Sequence, residues 1–211
     1  MSLKVSVENW KLGRYRLFKW RYELSFLGKL ILALGLAAFT GVMAQVRIVL
    51  PFTPVPITGQ VFAVLLCGVL LGRVYGGVSQ GLYVALGAAG IPWFSGGGSG
   101  IPIGPTGGYL IGFIPAAMLV GWFTDRHIRL RGLFGQALLM MTAVGIIYLF
   151  GAVQFAVVMR TGLQATLWGA VLPFIALDLA KALAVAAITA TLLPKASYNG
   201  EVDKTAYVGK Y

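Results

Sequence analysis

Charge is scarce in this sequence. Asp, Glu, Lys and Arg together make up 11 % of its 211 residues, and the other reactive groups are few: one histidine and one cysteine. These scarcities exclude whole classes of chemistry. A metalloprotease needs clustered His, Glu or Cys ligands. The lone His127 sits in the loop DRHIRLR, where a solvated or lipid-facing side chain is expected. Cys67 lies within FAVLLCGVLL with no partner for an internal disulfide, so a buried, inert thiol is expected. GPTGG, residues 104–108, lacks the Lys-Ser/Thr pair of a phosphate loop, and no Walker motif occurs elsewhere. The chain is therefore not expected to be an enzyme, and uphill transport would draw on a partner or an ion gradient. What abounds is apolar surface. Hydrophobic residues make up 58 % and mean hydropathy is +0.84, the composition of an integral membrane protein.

A bilayer core about 30 Å thick takes roughly 20 apolar residues per helix. Six runs qualify: 26–46, 57–72, 74–91, 107–124, 132–158 and 167–193. The third is Gly-rich, which membrane helices tolerate where they approach closely. The expected fold is an all-α bundle of six transmembrane helices over 26–194, between a basic segment at 1–25 and a tail at 195–211. Seven of the 17 Lys and Arg residues lie between Lys4 and Lys29. In a six-span topology Arg73, Arg126, Arg129, Arg131, Lys195, Lys204 and Lys210 join them on one side, against Arg47 and Arg160 on the other. That excess assigns both termini to the cytoplasm of a multi-pass protein. WKLGRYRLFKWRYE mixes bases and aromatics as an interfacial helix does, so its partner is membrane lipid rather than nucleic acid. With no cleavage signature ahead of it, the first span is expected to be retained.

On the opposite, outer side stand two uncharged loops apart from Arg47. In RIVLPFTPVPITGQ, residues 47–60, Pro51, Pro54 and Pro56 prevent regular helix and leave carbonyls without amide partners. Such backbone survives at membrane depth when protein covers it or it lines a wet cavity. IPWFSGGGSGIPIGPTGGY, residues 91–109, is mobile by composition. The two are either ordinary connectors or, more sharply, a rigid wall and a lid, around Pro54, Pro56, Ser95 and Ser99, over an outward-facing ligand cavity.

ALDLAKALAV, residues 176–185, sets Asp178 and Lys181 inside an apolar run. A charge at the centre of a span costs about 2.5–3.5 kcal/mol on insertion scales. At i, i+3 spacing the two share a helix face and partly neutralise each other. They could form an architectural clamp or an ion relay, although the chain has no second acid well inside a span. Recognition of a small molecule with adjacent donors and acceptors fits them best. In span 1, Ala33, Ala37 and Gly41 repeat at i+4, a stripe that admits either close internal contact or a separate membrane subunit.

RIVLPFTPVPITGQ, LYVALGAAGIPWFSGGG, GPTGGYLIGF and DLAK, in this order and spacing, resemble the BioY family. Its members are the biotin-binding S components of energy-coupling-factor (ECF) transporters. The resemblance covers nearly all the chain after about residue 26. It implies a six-helix subunit of a prokaryotic plasma membrane, with biotin as ligand and no cofactor. The implied partners are an ECF transmembrane coupling subunit, meeting Ala33, Ala37 and Gly41, and a pair of cytoplasmic ATPases; self-association stays open. Position by position, it implies that Asp178, Lys181 and Arg47 serve the biotin site. Asp178 would accept a ureido N–H and Lys181 would donate to an oxygen. Trp93, Phe94 and Tyr109 would flank the rings. An amide found in this region of some members has no Asn here, and Gln60, Ser95 or Ser99 would replace it. An S component for another vitamin and a solitary ion-coupled carrier are the alternatives.

Overall fold

The structure, a computed structural model, describes residues 3–195. Most of the tail at 195–211, with Lys204 and Lys210, lies outside the described residues. The elements are α1 (Leu3–Glu23), α2 (Phe26–Gln45), β1 (Arg47–Ile48), β2 (Ile57–Thr58), α3 (Gln60–Ala88), α4 (Gly107–Arg126), α5 (Leu133–Met159), α6 (Leu163–Ala170) and α7 (Ile175–Leu192). Five helical stretches of the described residues are long and apolar enough to cross a membrane, and α3 is one of them. Helix α3 is not straight. Gln60 and Tyr83 are 23 residues apart, about 35 Å along an ideal helix, yet Gln60 Nε2 donates to the Tyr83 hydroxyl at 2.7 Å.

The fold-back occurs at Gly72, whose φ of 74° and ψ of −173° belong to a region open essentially to glycine alone. Two antiparallel arms result, 60–71 and 73–88, and with them six apolar helical segments stand where six spans were expected. The arms are only about 18 and 24 Å long, each shorter than a bilayer core about 30 Å thick. Across the elbow, Gly68 meets the Ala117 carbonyl so closely that an added Cβ would lie 2.6 Å from it. Small residues thus bring α3 and α4 into near backbone contact.

The last span departs from expectation. The continuous helix expected over 167–193 is broken by a 3-10 turn at Leu172–Phe174. Pro173 has no N–H to bond the carbonyl four residues back, and the turn directs the Phe174 N–H to Val171. The carbonyls thereby released find side chains. Gly169 O accepts from Thr53 Oγ1 at 2.6 Å, and Ala170 O accepts from the Tyr109 hydroxyl. The break consequently ties the Pro-rich segment and the start of α4 to the end of α6.

The core runs through α3, α4, α5 and α7, with Leu65, Val69, Phe113, Val120, Ile147 and Val185 buried. Large apolar side chains such as Phe134, Val157 and Leu163 face outward, as lipid-facing positions do. At one end of the bundle α1 is strapped across the base. Phe18 is buried, Arg21 donates to the Val69 and Leu70 carbonyls, and Arg14 donates to the Thr191 carbonyl at 2.8 Å. Arg131, counted above among the loop cations, is wholly buried at this end and bonds the Thr124, Asp125 and Pro194 carbonyls. Lys195, also here, has its pKa lowered by burial and by neighbouring Arg14 and Arg131.

Candidate functional site

At the end of the bundle opposite α1, a cavity of about 280 Å³ opens between the Pro-rich segment, the glycine loop and the heads of α3, α4 and α7. Small-molecule sites begin near this size. Its polar end is built on α7. Because the helix restarts at Ile175, Asp178 stands in its first turn rather than in mid-span, where the unbroken run had suggested it. The helix N-terminus favours a carboxylate there. Asp178 Oδ1 accepts from Lys181 Nζ at 2.7 Å, and Oδ2 accepts from the Tyr148 hydroxyl at 2.8 Å. The carboxylate is nearly buried and lines the cavity. With one strong donor on each oxygen it keeps lone pairs for a further one.

Lys181 is not in the cavity wall. Its ammonium sits behind Asp178, donating also to the Thr58 carbonyl at 2.7 Å, and so locks the carboxylate to β2. The β1–β2 pairing, Arg47 opposite Thr58, holds that carbonyl in register. Gln60 lines the cavity, its Oε1 accepting from Thr58 Oγ1 at 2.9 Å and its Nε2 donating to the Tyr83 hydroxyl.

Of the aromatics named from sequence, Phe94 and Tyr109 line the cavity. Trp93 does not: its Nε1 donates to the Tyr83 carbonyl at 2.9 Å and its ring covers Gly41. The expectation of direct ring contact by Trp93 is thus corrected to support of the loop behind Phe94. Arg47 is exposed outside the wall, with its guanidinium against Gly96, whose φ is 76°. Pro56, Ser95 and Ser99 line the cavity, whereas Pro54 is exposed and off it. Ser95 Oγ is shielded from solvent and has no hydrogen-bond partner.

The glycine loop is held at both edges by amides that the sequence reading passed over. Gln45 Nε2 donates to the Phe94 carbonyl at 3.1 Å, and Gln45 Oε1 accepts from the Gly97 N–H. Gln154 Nε2 donates to the Pro102 and Gly104 carbonyls at 2.8 and 2.7 Å. Tyr148 was missed too, although a phenol in the apolar run of α5 was a signal. The stripe of Ala33, Ala37 and Gly41 needs correction as a docking face. All three are buried within the chain, Ala33 against Cys67 and Leu71 of α3 and Gly41 against Trp93. Among the described residues no group of three His, Cys, Asp or Glu converges as metal ligands would.

A family model described as the BioY family matches residues 16–197. The chain belongs to the BioY family. It is 46 % identical over 148 residues to a probable biotin transporter BioY of Methanothermobacter thermautotrophicus, a match covering 64 % of this chain and 92 % of that protein. It is 38 % identical to the biotin transporter BioY of Thermotoga maritima, covering 69 % and 85 % of the respective chains. Among solved structures it resembles the S-component for biotin from an ECF-type ABC transporter, with a TM-score of 0.73 and 27 % identity over 80 % of this chain and 94 % of that one. The BioY match takes in the whole cavity, whose lining runs from Val55 to Asp178.

Proposed function

We propose that the chain is the high-affinity biotin-binding subunit of a vitamin uptake transporter and not an enzyme. In this reading it delivers biotin across the cytoplasmic membrane with an ECF coupling subunit and a pair of ATPases. The observation that carries it is the Asp178 carboxylate, anchored by Lys181 and Tyr148 and bordering a half-apolar cavity, in a chain of the BioY family. Biotin presents two ureido N–H groups and a carbonyl beside an apolar bicycle. Asp178 accepts a ureido N–H, Ser95 supplies the hydroxyl for a polar ligand atom, and Phe94 and Phe113 flank the rings. Lys181 acts from behind the wall, fixing the Asp178 carboxylate against the Thr58 carbonyl. Arg47, at the rim beside Gly96, meets the carboxylate end.

The membrane orientation belongs to the same proposal. Basic side chains gather around α1, the elbow of α3 and the end of α4, so that end is cytoplasmic and the cavity opens outward. The test is equilibrium binding of radiolabelled biotin to the detergent-purified chain. The parent is expected to bind tightly, without competition from other vitamins, and Asp178→Asn to bind at least about tenfold more weakly. A folded parent that does not bind biotin overturns the assignment.

A further inference from the structure

A second cavity, of about 350 Å³, opens at the base of the bundle between α1, the start of α2, the elbow of α3 and the end of α4. Its wall carries Arg21, Lys29, Arg73 and Arg126, with Asp125 as its acid. Asp125 is engaged already: Arg21 Nη2 lies 2.9 Å from Oδ1, and the Tyr22 hydroxyl donates to Oδ2 at 2.6 Å. Lys29, Arg73 and Arg126 have no carboxylate within ion-pair distance among the described residues. Four cations against one carboxylate leave the concavity positive, and an anion there relieves the repulsion among them.

Two aromatic rings hold these cations in place. The Arg73 guanidinium lies 5.8 Å over Trp122, and the Lys29 ammonium 5.9 Å over Tyr75. Such rings are characteristic of the headgroup level of a bilayer. The basic cavity is also not isolated. An apolar groove of about 200 Å³ shares Arg21, Leu32 and Leu71 with it and continues beneath α1 past Leu17, Leu36 and Leu70. The ligand that matches a cationic pocket running into an apolar groove carries an anionic head on a hydrocarbon chain.

We propose that the base of the bundle is a binding site for one anionic glycerophospholipid, its phosphate among Lys29, Arg73 and Arg126 and an acyl chain in the groove under α1. The site lies at the end of the fold opposite Asp178 and stands whether or not the ligand there is biotin. A lipid so placed would bridge α1 to the α3 elbow and the end of α4.

The test is native mass spectrometry of the full chain from neutral detergent, offered equal amounts of phosphatidylglycerol and phosphatidylcholine. The parent is expected to retain one phosphatidylglycerol in preference to phosphatidylcholine, with the preference falling as ionic strength rises. Arg73→Gln with Arg126→Gln, two exposed side chains, should weaken retention about 25-fold, roughly fivefold for each cation removed. Arg129→Gln, outside the cavity wall, should leave it unchanged. Equal retention of the two lipids by the parent overturns the proposal, as does a preference that survives the double substitution or does not respond to salt. Displacement of the lipid by inorganic phosphate at constant ionic strength also overturns it, since the pocket would then be reading a free anion.

Discussion

The Lys181 ammonium donates to the carbonyl of Thr58, 123 residues upstream, at the same 2.7 Å that separates it from Asp178 Oδ1. One side chain thus joins the Pro-rich wall to the acid at the head of α7. Removing it strands a nearly buried carboxylate and a carbonyl together. Lys181→Met is expected to destabilise the protein by about 3–5 kcal/mol, whereas Lys181→Met with Asp178→Asn should recover much of that loss. Thermal unfolding in detergent checks the stability, and both variants should bind biotin poorly. A single variant as stable as the parent would show that Lys181 does not hold Asp178.

Ser95 separates stability from recognition. Its hydroxyl is shielded in the cavity wall without a partner, an arrangement that costs the empty protein about 1–3 kcal/mol. Ser95→Ala should therefore leave the ligand-free protein as stable as the parent or raise its unfolding temperature, while biotin binding weakens by about fivefold or more. Opposite signs in the two measurements assign the hydroxyl to the ligand. A parallel fall in both would mean that Ser95 serves the loop instead.

Gly72 sets the number of spans. Its φ of 74° turns one apolar stretch into two arms, and the position of its missing Cβ is occupied by the Asp125 carboxylate. Gly72→Ala meets both backbone strain, about 1–3 kcal/mol, and a steric conflict that disturbs the Arg21–Asp125 pair. Lower yield of monodisperse protein and a lower unfolding temperature are expected. Gly81→Ala, in the second arm with open space where a Cβ would go, is the matched control and should be neutral or stabilising by about 0.5–1 kcal/mol.

Much of this architecture was legible in the sequence because lipid imposes long apolar runs and basic flanks. The two arms of α3 were separable by their interruption near Gly72, and the acid and base of DLAK stood out against their surroundings. What stayed hidden depends on contacts between distant segments. VLPF is apolar throughout, so the break at Pro173 merged into its span and put Asp178 seemingly deep in the membrane. Tyr148 lies on another helix, and nothing local aims it at Asp178. Ala33, Ala37 and Gly41 announced a close approach without naming the partner, which proved to be α3 and Trp93 of the same chain. Likewise, adjacent Trp93 and Phe94 diverge, one to the cavity and one away, because the Gly87 position leaves room for both rings beside α3.

Thr53 supplies the last test, since it closes the account opened by Pro173. The Gly169 carbonyl loses its helical partner at the proline, and Thr53 Oγ1 replaces it at 2.6 Å while also accepting from the Val55 N–H at 3.2 Å. Thr53→Val preserves shape but orphans that carbonyl and that N–H, at a cost of about 1–3 kcal/mol for each group left buried. The Pro-rich segment should then loosen from α6 while the base of the bundle, held by Arg21 and Arg131, is undisturbed. Hydrogen exchange followed by mass spectrometry is expected to show faster exchange confined to 47–58 and 163–174, together with faster release of bound biotin. Exchange that rises equally at the base would mean that the wall and the bundle unfold as one unit and that Thr53 is not a local clasp.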